Sequence, residues 1–158
     1  MLNRRQIRIK ILQSLYAFFQ SDNKSQHSGN KELMLSISKM YEMYIFYLTL
    51  LVELVRHAEL KSEEVKNRQI SNSQDAIVHQ NFINNSFIKK LSTNDSLNKA
   101  AGNLSVNWVG DVKQDIVKKL YNYLIKSENF IDFSNENNVD FATHKKSCIT
   151  LFKKEICN

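Results

Sequence analysis

Three arginines, Arg4, Arg5 and Arg8, open the chain. Each guanidinium carries a permanent charge and five donors in a planar fork that suits phosphate oxygens. Residues 1–20 also hold Lys10 and contain no Asp or Glu. A compact basic start, on a chain of 22 Lys and Arg against 16 Asp and Glu, points to a polyanion: nucleic acid or an anionic surface. At 100° per residue, Ile11, Leu12, Leu15, Tyr16, Phe18 and Phe19 occupy an arc of roughly 160°. Gln6, Lys10, Gln13, Ser14, Ala17 and Gln20 lie on the other side. A solvated charge run would sit among the glutamines, whereas all three arginines fall inside the apolar arc. They prolong a core-facing stripe past the end of the core, at a helix N-terminus whose partial positive charge also favours phosphate. The competing reading has the arginine stems lying over neighbouring helices, their heads paired with acids elsewhere. The spacing RR-x-x-R does not by itself separate the two.

The remaining constellations read as structural. His144 and Cys148, four apart, share a helix face, but zinc needs four ligands, or three and water, and His27, His57 and His79 sit in unrelated segments. No metal or cofactor is expected. A Cys–His nucleophilic pair lacks an orienting residue and an oxyanion hole, so no enzyme is expected either. Asp111 and Asp115 belong to a first helical turn, where acids cap free N–H groups and complement the dipole. Tyr41, Tyr44, Phe46 and Tyr47 are the kind of residues that stack on bases, yet at helical spacing inside an apolar run they read as core. Lys146, Lys153 and Lys154 form an ordinary outer face. Cys148 and Cys157 on one helix would stand about 13 Å apart, too far for a disulfide.

These residues need helices to position them. With three glycines and no proline the chain has almost no turn punctuation, which argues against sandwiches, hairpin-rich barrels and glycine-cradled phosphate loops. The expected fold is an all-α bundle. Asn3 caps a first helix to about Gln20, and a polar loop covers residues 21–30. A second helix runs from near Lys31 to about Asn67. Its run Met43–Val55 is too short to cross a bilayer, which takes about 20 residues, and reads as the buried centre of a bundle. A linker near residues 67–74 divides the chain into parts 1–67 and 75–158. Beyond it a helix is expected over Ala76–Leu91, then a short one capped by Ser92 or Asn94, reaching Ala101. Trp108 anchors a turn between Gly102 and Gly110, and Asp111 caps a helix to about Lys126. The last helix turns Phe141, Cys148, Ile149, Phe152 and Ile156 inward. The start lacks a pure apolar stretch and a small-residue cleavage site, so the cytoplasm is the expected compartment and no membrane is involved.

The opening from Asn3 to Tyr16, arginine-rich and then apolar-Gln-small-Leu-Tyr, resembles the transcription antitermination factor NusB, closest to the longer form of the Bacteroidetes. The aromatic helix Tyr41–Glu53, the segment Phe87–Leu91, the stretch Lys119–Asn122 and the segment Leu151–Ile156 are similar to that group as well. The resemblance implies an all-helical, non-catalytic protein. It would bind single-stranded boxA-type RNA of ribosomal operons, together with the small-subunit ribosomal protein that doubles as NusE, within the transcription machinery. It also implies that Arg4, Arg5 and Arg8 contact RNA, while Gln13 and Tyr16 are structural. The family's C-terminal half, with its Asn-Glu and Phe-Val-Asn-Gly segments, has no counterpart before Asn158. The chain therefore reads as an N-terminal half, with much of the NusE-docking surface missing. The alternative expectation is a non-catalytic helical interaction module whose arginines meet an acidic protein.

Overall fold

A computed structural model describes residues 3–22, 25–67, 80–135 and 140–156. Among them every regular element is helical, and the chain is all-α. The helices are α1 (Arg4–Gln20), α2 (Gln26–Asn67), α3 (Ser86–Ser92), α4 (Asp95–Asn103), α5 (Asp111–Leu124), α6 (Glu128–Asn135) and α7 (Phe141–Leu151). Residues 80–83 are also helical, and α7 continues into a π-helical turn, Phe152–Ile156. The chain divides into two compact units, Met1–Phe46 and Tyr47–Asn158.

In the first unit, α2 starts at Gln26 rather than near Lys31, so the polar loop is shorter than expected. Gly29, expected in that loop, lies inside the helix, where its missing Cβ lets the Phe18 ring approach closely. A Cβ there would stand 3.0 Å from Phe18 Cδ2. The larger correction concerns α1. Its apolar arc is not a core-facing stripe, since none of its residues is buried. The half-buried row is Ile7, Lys10, Ser14 and Phe18, while Leu12, Leu15, Tyr16 and Phe19 are exposed.

The second unit holds the core. Leu51, Leu54, Val55, Ala58 and Ser62 recur at helical spacing along α2 and are buried. Against them lie Phe82, Ile88, Val117, Tyr121, Leu124, Phe130, Cys148 and Leu151, all buried. Phe82 packs on Phe130 with ring centroids 5.1 Å apart, and the His57 ring meets Tyr121 edge-on at 5.2 Å. Burying each large side chain contributes about 1.5–3 kcal/mol, so this cluster dominates the unit's stability. Trp108 is the expected anchor. It is buried, and its Nε1–H donates to Thr49 Oγ1 at 3.1 Å. The Gln114 amide then ties Trp108 O (2.7 Å) to Glu53 Oε1 (2.8 Å), pinning the turn to α2. α7 packs against α3 and α6.

Several expected elements differ. Residues 68–79, which include most of the linker and the start of the Ala76–Leu91 helix, lie outside the described residues. The described remainder of that helix breaks after residue 83. Asn85 Oδ1 accepts from the N–H groups of Phe87 and Ile88, both at 3.0 Å, and starts α3 afresh. Asn94 caps α4, accepting from Leu97 N–H, while Ser92 ends α3 instead. Gly110, not Asp111, holds the cap position of α5, and Asp111 is its first residue. The α6 helix was not expected. It forms because Phe130 finds a buried place beside Phe82. In α7 the inward residues are Cys148, as expected, and Leu151, whereas Ile149 and Phe141 are exposed and Phe152 and Ile156 beyond it are half-buried.

Candidate nucleic-acid interface

The first turn of α1 is built by Asn3. Its Oδ1 accepts from Arg5 N–H at 3.2 Å, and its own N–H donates to Gln6 Oε1 at 3.2 Å, a reciprocal cap that fixes where the helix begins. Helix geometry then sets the three guanidinium groups. Arg4 and Arg8 lie one turn apart, and Arg5 projects about 60° from Arg8. All three are exposed. Among the described residues no carboxylate forms an ion pair with any of them. The ion pairs Lys39–Glu42, Arg56–Glu53 and Lys61–Glu64 lie within α2.

This placement runs against the helix dipole. No acidic residue stands in the first turn of α1, and no basic residue in its last. Cations at an N-terminus cost about 0.3–1 kcal/mol each at low ionic strength. Nothing among the described residues offsets that cost, whereas a docked phosphate would reverse its sign. The arginine heads, the N-terminal turn and the exposed Leu12, Tyr16 and Phe19 form one surface on α1. Phosphate oxygens suit its charged end and flat bases suit its rings.

The aromatic set divides. Tyr47 and Phe46 are half-buried, with Tyr47 edge-on to Phe152 at 5.2 Å, but Tyr41 and Tyr44 are exposed rather than core. The sequence missed them as surface residues. Their i,i+3 spacing was the available signal, and no property of the sequence shows which side of α2 is covered. Lys146, Lys153 and Lys154 lie on an exposed face, and Lys154 Nζ donates to Asn129 Oδ1 at 3.0 Å.

The His144–Cys148 pair does not come together as a ligand set. His144 Nδ1 accepts from Ser86 N–H at 3.2 Å and lies 2.7 Å from Ser86 Oγ, so it caps the start of α3. Cys148 is buried and its thiol is pushed up to about 12, chiefly by that burial. Among the described residues no three His, Cys, Asp or Glu side chains are grouped to hold a metal ion. Asp111 and Asp115 are both exposed, but only Asp111 stands in the first turn of α5; Asp115 lies one turn further in, and neither side chain caps the helix. Among the described residues no helix is long and apolar enough to cross a membrane. No family model, curated protein or solved structure matches the chain.

Proposed function

We propose that the chain is an RNA-binding, NusB-like transcription antitermination factor that docks boxA-type RNA of ribosomal operons on Arg4, Arg5 and Arg8. The observation that carries the reading is the α1 N-terminus: three exposed guanidinium groups without an ion pair among the described residues, two of them, Arg4 and Arg5, in the first turn and set against their own helix dipole. The resemblance of residues 3–16 to that family supplies the RNA and the partner, a small-subunit ribosomal protein acting as NusE. The mechanism is assembly without catalysis. Phosphates neutralise the arginines, and helix faces hold a protein that links the RNA to polymerase. Cytoplasmic location follows from the same reading.

The bare Leu12, Tyr16 and Phe19 favour a second reading, an interaction module whose arginines meet an acidic protein. Fluorescence anisotropy of the purified chain with a labelled single-stranded boxA-type RNA separates the two. Tighter binding than to a scrambled RNA of the same length is expected. No RNA binding at low salt would leave the interaction module standing.

A further inference from the structure

Ahead of the three arginines the sequence offers one residue that can start a helix, Asn3; the next of that type is Ser14, beyond all three. Asn3 uses its side-chain oxygen, its N–H and its carbonyl. The oxygen accepts from Arg5 N–H, the N–H donates to Gln6 Oε1, and the carbonyl accepts from Ile7 N–H at 3.1 Å. Little else supports the turn so held. Arg4 and Arg5 set their charges against the dipole, residues 1–21 contain no acid for an i,i+4 pair, and Ile7, Ile9 and Ile11 are β-branched. These are properties of α1 alone, whatever packs against it.

Winding decides how far the charge is spread. In the helix the Arg4 and Arg8 Cα atoms stand about 6 Å apart, whereas in extended chain they would stand about 13 Å apart. We infer that Asn3 and Gln6 are positioning residues of the RNA site: without touching RNA they keep the first turn of α1 wound and so gather the three guanidinium groups. The inference rests on the reading of Arg4, Arg5 and Arg8 as phosphate contacts. Phosphates docked there reverse the clash with the dipole, so the wound turn binds the polyanion and the polyanion winds the turn. The two effects share one coupling factor. A lost cap lowers the wound-to-frayed ratio about 2- to 30-fold, and affinity falls with the wound fraction.

Hydrogen exchange of the full chain at the Ile7, Arg8 and Ile9 amides, the first to bond back along α1, reads the winding. Sodium tripolyphosphate should slow it about threefold or more relative to sodium chloride at equal ionic strength, and a boxA-type RNA should do the same. Asn3→Ala should exchange faster there and bind the RNA about fivefold more weakly, yet gain more protection from it than the wild type does. Gln6→Ala should shift both in the same direction. Asn3→Ser, whose hydroxyl still accepts, should recover both to within about twofold of the wild type. The Leu54 and Val117 amides should keep their rates in every variant, which separates this effect from a loss of the core. RNA binding by the wild type with no slowing at residues 7–9 would overturn the inference and leave the RNA reading standing. So would an affinity loss in Asn3→Ala without faster exchange, which would put Asn3 in contact with RNA, or equal losses in Asn3→Ala and Asn3→Ser. Slowing by tripolyphosphate in a chain that binds no RNA would strike the RNA reading and keep the coupling.

Discussion

Asn85 is fully buried at the break between residues 83 and 86, and its side-chain oxygen serves two backbone donors at once. Asn85→Ala strands the N–H groups of Phe87 and Ile88. A lost helix cap costs about 1–2 kcal/mol, read as a lower urea midpoint, and Asn85→Ser should lose less because a hydroxyl still accepts. Equal losses in the two variants would show that shape, not the acceptor, holds the break. His57 supplies a pH dependence. Burial lowers its pKa below 6.5, helped by Lys61 and Lys118 and opposed by Glu64 and Glu53, and its Nε2 is buried against Tyr121. Folding thus favours the neutral ring. The stability it contributes is full above 6.5 and is lost as pH falls through the depressed folded value. Urea midpoints should therefore drop from about pH 7 to about pH 5, and His57→Gln should flatten that drop. An identical slope in the variant would remove His57 from the account.

At the scale of elements, much was legible where a signal had one physical meaning. Asn3 capping α1, Trp108 as an anchor and the start of α5 near residue 111 all rest on such signals. Elsewhere the signal was degenerate. Asparagines that can cap a helix abound in this chain, so the sequence did not show that Asn85 interrupts a helix while Asn98 and Asn122 continue theirs. The arginines' place among the apolar residues of α1 was legible. That the arc is bare was not, because exposure depends on what α2 covers. The glycines give a sharper test. Gly110 has φ +107, a conformation that L side chains rarely adopt, whereas Gly102 is helical with open space around it. Gly110→Ala should cost about 1–3 kcal/mol. Gly102→Ala should be neutral or stabilise by up to about 1 kcal/mol, from lower backbone entropy in the unfolded chain. Thermal unfolding of both variants checks the pair, and equal effects would contradict the backbone assignment at Gly110.

At the scale of the whole molecule, net charge is +6, and two exposed basic faces compete to explain any RNA affinity. One is the α1 start, with its cations against the dipole. The other is the C-terminal face of Lys146, Lys153 and Lys154, where Lys154 already donates to Asn129. Diffuse charge would use both alike, whereas a site would use the first. The deciding measurement is the affinity for single-stranded RNA at several salt concentrations, for the wild type, for Arg4, Arg5 and Arg8 all replaced by Ala, and for the three lysines replaced likewise. Each phosphate contact on single-stranded RNA contributes about 0.7 to the slope of log affinity against log salt. The arginine variant should therefore lose roughly two units of slope and bind more weakly throughout, while the lysine variant loses less than about one such contact. Helix content should survive in both, since Arg, Lys and Ala all favour helix. An arginine variant that binds RNA as the wild type does, with its helices intact, would contradict the account.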